Sequence, residues 1–202
     1  MRSLTVMIPL LFVLLFGCGG GSSSDSASSN SEQTPNKGDS NKASTKDSDF
    51  DPCDLLSEKL IRSSFEVGDL EVTSRSSIQR RYSTCRKFWP GSSAAKNCEV
   101  SLTVPNKRFD NEAQAVSALD AALDILKYGL KSRPKDPERV KEINVQPLDG
   151  IGDKAAWTTP QNQISVANGR RLFHLNVNVY EDSERNRAVA LELAKQFVKE
   201  IN

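Results

Sequence analysis

The chain has 202 residues, with 27 Lys+Arg against 26 Asp+Glu and a single His, for a formal net charge of +1. A balance this close gives no electrostatic drive toward nucleic acid, so no nucleic-acid partner is expected, and the length suits one compact domain. One histidine also excludes every site that needs two.

The N-terminus opens with Met1-Arg2-Ser3, and residues 4–16 are then apolar apart from Thr5. A stable transmembrane helix needs about 20 apolar residues, whereas a secretory signal needs roughly 7 to 15 followed by small residues. Residues 1–17 therefore read as a signal peptide. Its end, Leu15-Phe16-Gly17-Cys18, resembles the lipobox of bacterial lipoproteins, with Phe16 as the one departing position. The resemblance implies a diacylglyceryl group on Cys18, cleavage before it, and a protein held to a membrane through its acyl chains. Each buried CH₂ contributes about 0.8 kcal/mol, so several chains anchor firmly. Gly19, where an Asp would signal retention, implies the outer membrane in a cell that has one.

Residues 18–49 follow as the lipidated Cys and a tether. Positions 19–49 hold ten Ser, four Gly and no aliphatic or aromatic side chain larger than Ala. Nothing there can form a core, so disorder is expected, with an end-to-end distance of roughly 30 Å and a reach of about 100 Å.

Residues 50–202 form the folded unit. Leu55, Leu56, Leu60, Ile61 and Phe65 make an apolar face at helical spacing, with Ser57 as N-cap. Strands are predicted at 69–73, 81–89 and 98–104; in the last, Val100, Leu102 and Val104 alternate with polar residues. A helix beginning after Asp110 carries Val116, Leu119, Leu123, Leu126 and Leu130 as one stripe, stopped by Gly129 and Pro134. Four more strands are predicted at 142–145, 154–159, 163–167 and 172–180. Asn168-Gly169 marks a hairpin between the last two, both residues tolerating the positive φ of a type I′ turn. The final helix starts near Ser183 and buries Ala190, Leu193, Ala194, Phe197 and Ile201. Runs of strands separated by single helices, in the order α, strands, α, strands, α, argue for an α+β domain with an antiparallel sheet.

With Cys18 lipidated, Cys53, Cys85 and Cys98 allow one bridge in an oxidising compartment, and spacing leaves all three pairings open. Asp51-Pro52-Cys53-Asp54-Leu55-Leu56, then Cys85 with Phe88 and Trp89 nearby, then Gly150-Ile151-Gly152-Asp153-Lys154-Ala155-Ala156-Trp157 ahead of two strands and a helix, resemble a family of bacterial lipoproteins that share a domain of unknown function. The resemblance covers most of residues 51 to 202. It implies a Cys53–Cys85 disulfide, with Cys98 as a departure, and an antiparallel sheet flanked by helices similar to PsbP-like domains. Those are mainly adaptor and assembly modules, and no catalytic residues carry over.

Gly150-Ile151-Gly152-Asp153-Lys154-Ala155 matches a dinucleotide fingerprint in letters only, since it precedes a strand rather than a helix. A turn that delivers Trp157 into the sheet is the expected use. On strand 172–180, Phe173, Leu175, Val177 and Val179 take one face, and His174, Asn176, Asn178 and Tyr180 the other, a polar face able to read a ligand. A Ser-His-Asp triad would need this one His, and no G-x-S-x-G elbow accompanies it. No catalytic residue, cofactor or metal site is predicted. The basic pairs Arg80-Arg81, Arg86-Lys87 and Arg170-Arg171 are expected near sheet edges, where charge discourages aggregation. The sequence thus points to a non-catalytic binding or adaptor lipoprotein of the cell envelope, with an envelope protein as partner. A carrier or chaperone for a lipid or other apolar ligand is the alternative, and an envelope hydrolase the third reading.

Overall fold

The computed structural model describes residues 51–91 and 97–201. The segment expected to be a signal peptide, Cys18 and the expected tether lie outside the described residues.

A seven-stranded antiparallel sheet runs in the order β1-β2-β3-β9-β8-β7-β6. Its strands are β1 (Thr73–Ile78), β2 (Tyr82–Pro90), β3 (Asn97–Pro105), β6 (Asn144–Leu148), β7 (Lys154–Thr159), β8 (Gln163–Asn168) and β9 (Arg171–Asn178). A separate two-residue ribbon pairs β4 (Gly129–Leu130) with β5 (Arg133–Pro134). The helices are α1 (Pro52–Leu55), α2 (Glu58–Ser64), α3 (Glu112–Tyr128), α4 (Pro137–Glu142) and α5 (Ser183–Glu200). The domain is α+β, as expected. Among the described residues, no helix is long and apolar enough to cross a membrane.

The pleat sorts the sheet into two faces. One row, Cys85, Leu102, Leu175, Ile164 and Trp157, crosses five strands by direct pairing and is wholly buried. α5 covers this face with Ala190, Leu193, Ala194 and Phe197, and the Phe197 ring meets Phe173 edge-on at 6.1 Å. Leu56, Ile61 and Phe65 from the N-terminal helices join the same core. Cys53, capped into α1 by the Asp51 carboxylate, bonds to Cys85 on β2. The pairing implied by the family resemblance is therefore present, and Cys98 is a buried thiol 3.6 Å from the Val179 carbonyl.

On the opposite face, α3 covers only part of the sheet. Ala115 and Leu119 pack with Ala167 and Leu172, and Lys154 on β7 ties to Asp120 at 2.7 Å. Asn111 caps the helix start and Gly129 ends it with φ +82°.

Several expectations shift. The first apolar face is two short helices, broken at Leu56 and restarted by the predicted Ser57 cap, whose hydroxyl accepts from Leu60 N at 3.2 Å. The first strand is Thr73–Ile78 and not 69–73; every residue in it is exposed, so it holds its edge by backbone pairing with β2 and a few surface side-chain contacts, without a buried apolar face. The strand predicted at 142–145 starts at Asn144, because Pro137–Glu142 is the unforeseen helix α4, capped by Asp136. In the β8–β9 hairpin Asn168 stays paired, with Arg171, and of the two connecting residues only Gly169 takes a positive φ.

The glycine motif makes the expected turn. Gly150 and Gly152 sit at φ +74° and +58°, Asp153 N donates to Ala167 O, and β7 then carries Trp157 fully into the core. A Cβ on Gly152 would stand 2.4 Å from the Ala167 carbonyl oxygen, so this strand crossing requires glycine.

Candidate functional site

The polar face predicted for the last strand exists, and pairing extends it across neighbouring strands. Thr84, Thr103, His174 and Ser165 form one row over β2, β3, β9 and β8. Arg86, Ser101, Asn176 and Gln163 form the next, and Glu99 stands beside Asn178 in a third. Threonine hydroxyls meet across the first pair at 3.0 Å.

His174 is half-buried and held by a defined network. Its Nδ1 lies 2.8 Å from Ser165 Oγ, and Gln163 Nε2 donates to that same oxygen at 2.8 Å while standing 3.4 Å from Nδ1. Both neighbours thus bring protons toward Nδ1: the Ser165 hydroxyl accepts from Gln163 and donates onward to the ring. Nδ1 is the acceptor and Nε2 keeps the hydrogen. Burial lowers the His174 pKa from 6.5 to about 4, because the charged imidazolium would lose its water. The ring is neutral at physiological pH. Ser165 itself is fully buried, so the Ser–His contact is a structural hydrogen bond and presents no accessible nucleophile.

Asn176 donates to the Gln161 carbonyl at 3.3 Å, and Asn178 accepts from Asn162 at 3.2 Å. Tyr180 does not join them. β9 ends at Asn178, where the fully buried Asn186 amide takes over: its Oδ1 accepts from Val179 N at 3.1 Å and Tyr180 N at 2.9 Å, and its Nδ2 donates to Tyr180 O at 2.8 Å. Beyond that clamp the alternation is lost. The Tyr180 ring packs on the α5 side, 6.4 Å from Phe65 and under the Arg185 guanidinium at 3.8 Å, beside a cavity of about 530 Å³.

Where the polar face meets α3, a groove of about 560 Å³ opens above His174 and Leu172. Gln114, Ala118 and Ala122 of α3 make one wall at successive turns; Arg80 and Arg81 from the β1–β2 turn and Tyr82 at the start of β2, with Lys107, Arg108 and Asp110 from the loop after β3, make the others. Four cationic residues thus face one carboxylate. Their backbones are fixed. Asn106 accepts from Ser83 Oγ at 2.8 Å, donates to Gln79 O at 2.6 Å, and gives its backbone N–H to Arg81 O at 2.9 Å, locking the turn to the loop. Phe109 and Arg170 exchange two further bonds, Phe109 N to Arg170 O at 2.9 Å and Arg170 Nε to Phe109 O at 2.6 Å.

Of the predicted basic pairs, only Arg80-Arg81 lines this groove. Arg86 and Lys87 point to opposite faces, as neighbours in a strand must: Arg86 is exposed near Glu99, while Lys87 is buried on Ser74 Oγ at 2.9 Å. The Lys107-Arg108 pair went unremarked in the sequence, although it follows a clear strand and repeats the signal of the other pairs. Among the described residues, no group of three or more His, Cys, Asp or Glu is placed to hold a metal ion.

Chemically the groove offers a cationic rim over a neutral, proton-bearing imidazole floor. That combination attracts and orients a negatively charged group. No family model, curated protein or solved structure matches this chain.

Proposed function

We propose that the protein is a lipid-anchored lipoprotein of a bacterial cell envelope, held by acyl chains on Cys18, whose folded domain is a non-catalytic binding or adaptor module. An outer-membrane address follows where the cell has one. The groove above His174 seats an anionic group of an envelope partner. A single observation carries this reading: Arg80, Arg81, Lys107 and Arg108 converge on one groove in a chain whose overall charge is only +1. An anionic group complements a rim of that charge, whereas an apolar ligand gains nothing from it. The Cys53–Cys85 bridge fits an exported protein, since disulfides persist in oxidising compartments. The antiparallel sheet with helices on both faces is the arrangement that likeness to PsbP-like domains implies, and we include that likeness in the proposal.

Native mass spectrometry of protein extracted gently from its own membrane, followed by denatured intact mass, tests both halves. The expected result is acyl mass on Cys18 and a non-covalent anionic adduct or partner that dissociates as salt rises and is missing from the Arg81→Gln/Arg108→Gln chain. An apolar adduct indifferent to salt and to those substitutions would replace the groove reading with a lipid carrier. Absence of acyl mass would remove the anchor.

A further inference from the structure

The stripe along α3 suggests one continuous buried face, yet the helix buries fully only Ala115 and Leu119. Its second half has no fully buried residue, and Ile125, Tyr128 and, just past the helix, Leu130 are 47%, 50% and 53% exposed. Three of the six exposed large apolar residues among those described therefore fall within one helix end and the ribbon that follows it. Isolated exposed leucines need no explanation, but a cluster does. These three line a single, mostly apolar concavity of about 650 Å³ with Ala121.

Charge around the cluster is mainly positive: Asp124 is the one carboxylate lining the concavity, and a basic run follows it. Residues 125–135 contain Lys127, Lys131, Arg133 and Lys135 and no carboxylate. The Lys127 ammonium stands 5.4 Å from the Tyr128 ring centroid, Lys131 borders the concavity, and Arg133 pairs directly opposite Leu130 in the ribbon. Lys135 turns inward, donating to the Leu126 carbonyl. An exposed apolar tip with an interfacial aromatic and cations on flexible stems is the chemistry of a segment that lies in a bilayer interface, where side chains of this kind snorkel toward anionic headgroups.

We propose that the C-terminal half of α3 and the β4–β5 ribbon dock the domain onto an anionic lipid surface, with Ile125, Tyr128 and Leu130 entering the interface and Lys127, Lys131 and Arg133 meeting the headgroups. This rests on the membrane address proposed above and adds an orientation to it: the domain lies against the bilayer by this edge.

Hydrogen exchange on the full chain incorporated into phosphatidylcholine vesicles, with or without phosphatidylglycerol, tests the docking. Amides of residues 125–133 are expected to exchange at least about ten-fold more slowly on the phosphatidylglycerol vesicles, while those of α5 stay unchanged. Ile125→Ser/Tyr128→Ser/Leu130→Ser abolishes the slowing. Each of Lys127→Gln, Lys131→Gln and Arg133→Gln, which leave the apolar tip intact, weakens the interaction about five-fold. Equal exchange on both vesicle types overturns the proposal. So does protection that follows protein concentration and not phosphatidylglycerol, which would assign the surface to a second copy of the chain. The mass of Cys18 in the same samples reports the anchor separately: slowed exchange without acyl mass retains the docking and removes the anchor, and the converse does the reverse.

Discussion

Acid titrates His174 in the unfolded chain well before it titrates the folded one, and the difference sets a stability cost that can be worked out. The imidazole pKa falls from 6.5 to about 4 on folding because burial penalises the cation. Each unit corresponds to about 1.4 kcal/mol, so the whole shift is worth about 3 kcal/mol, and about 2 kcal/mol once partial exposure of the ring is allowed for. The neutral ring is present in both states above pH 6.5, so nothing is lost there. Between pH 6.5 and about 4 the unfolded state binds the additional proton, and stability falls as pH drops through that window. Urea unfolding of the wild type and His174→Gln, followed by the fluorescence of the buried Trp89 and Trp157, measures it at a series of pH values. Carboxylate titration is common to both chains and cancels in the difference. The wild type should lose about 2 kcal/mol relative to the variant between pH 7 and pH 4. Parallel pH curves for the two chains would refute the assignment of a desolvated, neutral His174.

The Cys53–Cys85 bridge spans a sequence separation of 32, and closing a loop of that size in the unfolded chain is worth about 3.7 kcal/mol; Cys53→Ser/Cys85→Ser should lose that much in denaturant titration, with Cys98 taking up an alkylating reagent only after unfolding. Asn186→Ala removes the amide that serves Val179 N, Tyr180 N and Tyr180 O, and should cost about 3 kcal/mol with fast amide exchange appearing at residues 179–180. Gly152→Ala should cost about 3 kcal/mol in thermal unfolding, from the positive φ and the clash with Ala167 O together, whereas Gly150→Ala, with open space at its Cβ, should cost only about 1 kcal/mol.

What could be read in the sequence was what burial writes into it. Val100, Leu102 and Val104 alternate because one side of β3 faces the core, and Ala190, Leu193, Ala194 and Phe197 recur at helical spacing because α5 lies on that core. β1 left no such trace: Thr73–Ile78 is exposed throughout, and a strand that buries no side chain imposes no hydrophobic pattern. α4 buries nothing either, although Asp136-Pro137 at its start is a legible cap signal. The predicted polar face ran one residue pair too far at Tyr180, because a side chain from another element, Asn186, captures the backbone there. The groove was not legible at all. Arg81, Lys107 and His174 are far apart in the chain, and only the β2–β3–β9 register together with the lie of α3 brings them to one place. Three cysteines likewise left three pairings open by spacing; family resemblance implied the bridge that the fold contains.

The position of that bridge has a mechanical consequence. Tension entering the domain from residues upstream of Asp51 reaches Cys53 two residues later and passes through covalent bonds to Cys85, near the middle of β2. β2 is hydrogen-bonded on both sides, to β1 and β3, so a pull applied there loads two ladders of bonds in parallel and leaves α2 and the part of α1 beyond Cys53 outside the line of force. A domain leashed by its N-terminus can thus be dragged without being unravelled from that end, and reduction of a single bond converts the same pull into peeling, one helical turn at a time.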